Sequence, residues 1–288
     1  MSLLKAYQLN YNIFYKILNP TLIHKGFQYK IGVNIDTNLF NPIGYCQKGG
    51  LYFTDIDNIH RHIKSSLDKI AIVTLNPYEP IWIEKNQYKA HKINITQIHD
   101  INTYKNSEFL QIIFQKNDSL IQHFKFPSES ACIKSVEQNG YNIQFIPNPT
   151  FNVCLSAVRQ NGNALMFINK YIKHYSIICN EAVKQCGTAL QYVKKQTRNI
   201  CMEAVKKDGN AIIFVNEIVM KNEYNEICKK ALESNWSIIK HFNEPTKDLC
   251  FKAISVNPMA LKYIKNQTKE MCIYAKWINL KIYKNSII

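Results

Sequence analysis

Arginine is almost absent from this chain: only Arg61, Arg159 and Arg198 occur, so 33 of the 36 basic residues are lysines. Direct base readout leans on the planar, bidentate guanidinium. Any nucleic-acid binding is therefore expected to be a phosphate-tracking, salt-sensitive and sequence-blind mode. No apolar run exceeds about five residues, too short for the roughly 20 that a membrane-spanning helix needs. The opening MSLLKAYQLNYNIF lacks the continuous apolar region of a signal peptide. There is no C-x-x-C pair and no Cys/His cluster with zinc spacing. A P-loop, a Ser/His/Asp arrangement and a paired-carboxylate motif are also missing. The lone histidines His91, His99, His123, His174 and His241 have no evident partners and read as surface residues. No catalytic residue, metal site or cofactor is expected. A soluble intracellular protein without a membrane partner is expected.

What the chain does have is a repeat. Seven units align on Cys132, Cys154, Cys179, Cys201, Cys228, Cys250 and Cys272, with gaps of 22, 25, 22, 27, 22 and 22 residues. Small and aliphatic residues stand three and four places after the Cys in most units, as in Ala157-Val158, Ala204-Val205 and Ala253-Ile254. Positions i, i+3 and i+4 share one helix face. Ser128, Thr150, Thr197, Thr246 and Thr268 lie four places before the Cys, where an N-cap hydroxyl belongs. Gly140, Gly162, Gly187 and Gly209, together with Asn235 and Asn257, are read as left-handed residues that stop the helix. An apolar run follows, as in Ala164–Ile168 and Ala189–Val193, and reads as a second short helix with Leu165/Ile168 and Leu190/Val193 facing the core. Each unit is thus a small helical hairpin that buries its stripe only by stacking on neighbours. The repeated Cys reads as a small buried hydrophobe rather than as chemistry.

The first part of the chain has a different character. Residues 1–21 read as a lead-in helix ending at Asn19-Pro20. Gly26–Gly32 reads as a strand or strand pair, Asn41-Pro42-Ile43-Gly44 and Gln47-Lys48-Gly49-Gly50 as turns, and Leu51-Tyr52-Phe53 as a strand. A helix is expected over Asp57–Ser66, with His60 and His62 too far around from each other to share a metal. Strands follow at Lys69–Leu75, Ile81–Glu84 and Ala90–Ile95, then a helix over Glu108–Phe124. The expected fold class is an α+β leader domain (1–105), a connecting or capping helix (106–126) and an all-α solenoid of short helical-hairpin repeats (127–288).

The pattern C-x-x-A-V-K-x-x-G-x-A-L-x-Y-V over about Pro127–Lys276 resembles the short helical repeats of unknown function expanded in Mimivirus-type giant viruses. GFQYKIGVNID, FNPIGYCQKGGLYFTD and YKAHKINI resemble an uncharacterised leader domain found ahead of repeats in the same viruses and in phages. That resemblance implies a viral protein of the host cytoplasm or the particle. Gly49-Gly50-Leu51-Tyr52-Phe53-Thr54-Asp55 is also similar to a strand of ADP-ribosyltransferases. It implies that His24 and Tyr52 would grip a nucleotide and Glu108 would supply the acidic group, although Lys25 separates His24 from Gly26 where that family pairs His with Gly.

Net charge is +15, of which residues 125–288 contribute +11, from 23 Lys/Arg against 12 Asp/Glu. Arg159, Lys184 and Lys206 follow the Ala-aliphatic pair in the central units, with Lys207, Lys229 and Lys230 nearby; these six form the expected interaction face. The leading expectation is a non-enzymatic scaffold or adaptor that binds another protein through this face. RNA bound without sequence preference is the alternative, and an inactive ADP-ribosyltransferase-like leader domain the second. Phe167, Tyr192, Phe214 and Tyr263 recur at one repeat position, which is read as core rather than as a stacking platform.

Overall fold

The computed structural model describes residues 2–6, 9, 12–41, 48–65, 68–84, 87–104 and 106–285. Compactness divides the chain into two units, one of residues 1–138 and 144–149, the other of residues 139–143 and 150–288. The first is β-rich before it turns helical; the second is helical throughout.

Ten strands make up the first part: β1 (Ser2–Lys5), β2 (Phe14–Leu18), β3 (Ile23–His24), β4 (Phe27–Gln28), β5 (Gly32–Ile35), β6 (Leu51–Phe53), β7 (Lys69–Thr74), β8 (Pro80–Glu84), β9 (Gln87–Ala90) and β10 (Lys92–Asp100). They pair antiparallel in two four-stranded sheets, β1-β8-β9-β6 and β2-β7-β10-β5, with β3-β4 as a small separate hairpin. A bridge between Tyr15 and Thr54 ties the sheets together, with N···O distances of 2.7 and 2.8 Å. Alternate residues of each strand point between the sheets. Phe14, Leu51, Phe53, Val73, Ile81, Tyr88, Ile93 and Ile95 fill that space. Phe14 packs edge-on against Phe53 and Tyr88, each 5.3 Å between ring centroids.

The lead-in helix expected over residues 1–21 is therefore wrong. Phe14-Tyr15-Lys16-Ile17-Leu18 alternates buried and half-buried with a period of two, and β7 supplies its ladder partner. The helix expected at Asp57–Ser66 shrinks to a single 3-10 turn, Ile59–Arg61, held by Asp55 accepting the Asn58 N–H at 2.8 Å. The turn expected at Asn41-Pro42-Ile43-Gly44 lies, from Pro42 onward, outside the described residues, as does Gln47. Three strand expectations hold with small changes of boundary: β6, β7 and β8. The segment Ala90–Ile95 divides between β9 and β10 at His91.

Eight α-helices follow: α1 (Ser107–Lys116), α2 (Glu129–Gln138), α3 (Phe151–Gln160), α4 (Tyr175–Gln185), α5 (Arg198–Lys207), α6 (Tyr224–Ser234), α7 (Lys247–Val256) and α8 (Lys269–Asn285). The predicted caps form: Ser128, Thr150, Thr197, Thr246 and Thr268 accept the backbone N–H three residues on, at 3.3–3.4 Å. Cys132, Cys154, Cys179, Cys201, Cys228 and Cys250 are buried, and Cys272 is half-buried. Helices α1 to α7 are each followed by a six-residue 3-10 turn, such as Gly162–Phe167 after α3. Three residues per turn explains why Gly162, Leu165 and Ile168 are all buried.

Two details of the repeat differ from expectation. Gly140, Gly162, Gly187 and Gly209 do not have positive φ. They are small because the next unit lies against them: a Cβ would sit 2.4–2.5 Å from the carbonyl oxygens of Ala157, Ala182, Ala204 and Ala231 respectively. Asn235 and Asn257 do not stop the helix in the left-handed region either. They stand one place earlier than the glycines, at φ near −150°, and accept the N–H of Ser237 and Met259 to start the 3-10 turn.

Helix α1 with its 3-10 turn Asp118–His123 replaces the continuous helix expected over Glu108–Phe124. The Asn117 backbone, extended at φ −152°, breaks it. Leu110, 22 residues before Cys132, takes the Cys position, and Ile113-Phe114 takes the place of the small-aliphatic pair; all three are fully buried. An eighth unit of the same kind thus precedes the seven.

Candidate functional site

Lys16 stands at an inward position of β2, between Phe14 and Leu18, and is 4 % exposed. A core-row lysine costs several kcal/mol unless its ammonium is well solvated by the protein. Its Nζ donates to the Tyr52 carbonyl at 2.6 Å, lies 4.5 Å from the centre of the Tyr29 ring, and is 3.4 Å from His24 Nδ1. Lys89, 1 % exposed, is the cross-strand neighbour of Tyr52. Its ammonium sits 4.9 Å over the Tyr52 ring and donates to the Asn41 carbonyl at 2.6 Å. Lys25 also lies over that ring, at 5.4 Å. Tyr52 is thus enclosed by three lysines.

The Gly49-Gly50 turn lets this happen. Both residues have positive φ, and a Cβ on Gly50 would meet the Lys89 side chain at 2.7 Å. Asp36 fixes the turn by accepting the Gly50 N–H. Burial pushes the Asp36 carboxyl up, but hydrogen bonds from the Asn38 and Gly50 N–H groups outweigh it and the net shift is downward.

Two cavities share His24 and Tyr52 in their walls. One, of about 60 Å³, is also lined by Lys16, Thr54, His62 and Gln87. The other, of about 190 Å³, adds Lys25, Phe27, Tyr29, Asp36, Lys48 and Gly50. Burial first, and then Lys16 and Lys25, push the His24 imidazole down to about 4. His62 is lowered for the same reasons, burial leading and Lys16 following. Both rings are neutral at pH 7. The structure therefore brings His24 and Tyr52 together, as the transferase resemblance requires. Glu108 does not join them. It is in the first turn of α1, not on a strand, and lines a different pocket with Tyr15 and Phe109. The signal for Lys16 was in the sequence as a lysine on the inward row of an alternating strand; reading that stretch as helix concealed it.

In the helical unit, four of the six residues of the expected interaction face are engaged by carboxylates. Arg159 and Lys184 both reach Glu181, at 3.3 Å each. Lys229 pairs with Glu226 and with Asp248 of the following helix, at 3.2 and 2.6 Å. Lys230 shares Glu233 with Lys252 of the following helix, at 2.7 and 2.6 Å. These pairs bridge successive units. Lys206 and Lys207 are exposed, with no ion pair among the described residues.

The wider groove lies elsewhere, where the longer connection before α4 projects from the array. Tyr171 is 81 % exposed there, beside Ile177 at 49 %. A cavity of about 790 Å³ runs past Tyr171, Tyr175 and Ile177 to Ile200, and Lys170, Lys194 and Lys195 rim it. None of the three lysines has a carboxylate partner among the described residues. The 27-residue gap before α6 likewise exposes Ile218 at 89 % and Val219 at 58 %. The recurring aromatics Phe167, Tyr192, Phe214 and Tyr263 are not core: Phe167 is 38 % exposed and the other three are half-buried, while the next residue in each unit is buried. They sit one step off the three-residue inward row of the 3-10 turn. His174 and His241 are exposed as expected; His91, His99 and His123 are half-buried.

Residues 150–198 and 197–245 match the model of a domain of unknown function, DUF4116, each copy taking in two of the Cys units. The "Uncharacterized protein R869" of Acanthamoeba polyphaga mimivirus is 39 % identical over 105 residues, 34 % of this chain and 76 % of that protein. The chain belongs to the same family as R869. A "Putative ankyrin repeat protein R868" of the same virus is 43 % identical over 54 residues, 18 % of this chain. The chain spans 27 % of the length of that second relative. No solved structure matches.

Proposed function

We propose that this R869-family chain is a non-catalytic interaction protein whose helical array holds an acidic polypeptide segment carrying an apolar or aromatic anchor. The observation that carries this is the groove beside α4. It pairs an exposed aromatic, Tyr171, and an apolar floor, Ile177 and Ile200, with three lysines that have no internal counter-charge. Interface energy concentrates where an aromatic anchor fills a desolvated pocket, while rim charges set orientation and the rate of encounter. The ankyrin label of the relative R868 points the same way, toward repeats that bind proteins. Ion pairs with Glu181, Glu226, Glu233 and Asp248 leave Arg159, Lys184, Lys229 and Lys230 a role in holding units together. A viral protein acting in host cytoplasm or carried in the particle fits the mimivirus kinship.

The test is a peptide-display selection on the full chain, repeated with Tyr171→Ala and with Lys194→Glu/Lys195→Glu. Enriched peptides should carry Asp or Glu flanking a bulky apolar residue, and both variants should lose them. Peptides retained by both variants would place the binding face elsewhere. Single-stranded RNA bound by the wild type and lost by the same variants would replace the acidic protein with a phosphate backbone.

A further inference from the structure

The smaller cavity in the β-rich part contains donors that nothing in the structure satisfies. Gln87 is 8 % exposed, and its Nε2 is buried without a hydrogen-bond partner. His62 Nε2 is buried and unpartnered as well. Both line the same 60 Å³ cavity, with Lys16 and Thr54. An unsatisfied buried amide costs free energy comparable to a lost hydrogen bond, so such groups are rare. Two of them facing one space beside a buried ammonium is a convergence of donors.

The chemistry of what fits follows from the inventory. Lys is a donor only, and the Gln87 Nε2 end of its amide presents two N–H groups. His24 Nδ1 is 3.4 Å from the Lys16 ammonium and serves as its acceptor, so the neutral His24 ring carries its proton on Nε2. The group that meets this lining is acceptor-only and negatively charged. A volume near 60 Å³ is about two waters' share of the liquid, or one compact oxyanion. On the other side of His24 and Tyr52 the larger cavity offers about 190 Å³, the aromatic walls Phe27, Tyr29 and Tyr52, and the cations Lys25 and Lys48.

We infer that the β-rich part of this protein binds a small phosphorylated molecule with a flat ring, of the nucleoside monophosphate class, with its phosphate held by Lys16, His62 and Gln87. The ring system then occupies the larger cavity against Tyr52, where Lys25 and Lys89 over the ring already set a cationic field. Nothing places a carboxylate at this centre: Asp36 is committed to Gly50 and Asn38, and Glu108 lines another pocket. The inference is of binding, with no chemical step. It is independent of the groove in the helical array.

Isothermal titration of the full chain with inorganic phosphate and with AMP, at fixed ionic strength against chloride, tests it. The imidazole nitrogens of His62 are followed by NMR in the same samples. AMP is expected to bind saturably and more tightly than phosphate, with the His62 Nε2 resonance shifting as the site fills. Gln87→Leu should weaken AMP about ten- to a hundred-fold, the worth of one hydrogen bond to a charged group. Lys16→Met serves as the second variant should Gln87→Leu fail to fold. Binding that neither variant alters, a His62 signal that stays put, or no saturable binding would each overturn the inference and leave the cavity to ordered water.

Discussion

Gln185 Oε1 accepts the backbone N–H of Gly162 at 2.7 Å, across the boundary between successive units. The other end of the same amide donates to the Gln160 carbonyl at 3.4 Å. Gln160 does for Gly140 what Gln185 does for Gly162, again at 2.7 Å, and Ser234 does it for Gly209 at 3.2 Å. The residue six places after the Cys is therefore a hook to the unit before. Gln185→Leu should leave the buried Gly162 N–H without an acceptor and lower stability by about 1–3 kcal/mol. Urea unfolding followed by circular dichroism measures it. An unchanged midpoint would mean that water replaces the hook.

The glycines at these boundaries make a second prediction, and it separates two roles of glycine in one chain. Gly187→Ala places a Cβ 2.5 Å from the Ala204 carbonyl oxygen, a backbone atom that cannot turn aside. Overpacking of this kind costs about 1–3 kcal/mol. Gly26→Ala meets nothing within 4 Å and faces only its φ of +81°, a cost of about 1–2 kcal/mol. Gly187→Ala should lower the melting temperature of the helical unit. Gly26→Ala should leave that transition in place and act only on the β-rich part.

Acid should loosen the array through Glu233. Hydrogen bonds from Lys230 and then Lys252 pull its carboxyl down from 4.5 to about 2. The depressed value means that the folded state stays ionised while the unfolded chain takes up a proton. The stabilisation is whole above pH 4.5 and is lost as pH falls toward 2. Exposed pairs are screened, so the effect is modest and shrinks with salt. Denaturation midpoints of the wild type should fall more steeply over that window than those of Glu233→Gln. Parallel curves would show that the Lys230–Glu233–Lys252 cluster adds nothing.

Thiol reactivity should sort the cysteines by position in the repeat. Burial pushes Cys154 up to about 12 and Cys201 up to about 11, leaving almost no thiolate at pH 8. Cys186 lies outside the repeat position, is half-exposed, and has its Sγ 3.2 Å from the Thr188 hydroxyl. Iodoacetamide on the native protein, read by peptide mass spectrometry, should modify Cys186 well before Cys154 or Cys201. Equal rates would mean that the helices open faster than the reagent acts.

The repeat was legible because Cys, Ala and an aliphatic residue recur at fixed spacing, and the caps followed from hydroxyls four places earlier. The unit at Leu110 escaped notice because a bulkier Leu110-Ile113-Phe114 set fills the same positions. The role of the boundary glycines is invisible in one unit, since their crowding comes from a carbonyl in the next. The cavity in the β-rich part was only half legible. Tyr52 and His24 stood out by resemblance, whereas Lys16 and Gln87 matter through where two sheets place them. The rim of Lys170, Lys194 and Lys195 needed the structure because every lysine of this lysine-rich chain looks alike until its partners are known.

Since each boundary is keyed by the same small-residue contact, the underside of one unit fits the top of another. A 22-residue block such as the one from Cys228 to Cys250 is then an exchangeable part: its removal joins two surfaces of the kind already joined elsewhere. Array length becomes something heredity can adjust by unequal recombination, one block at a time, with no new interface to invent. The two longer connections, before α4 and α6, are where such a lineage can vary what it recognises while the stack beneath them stays the same.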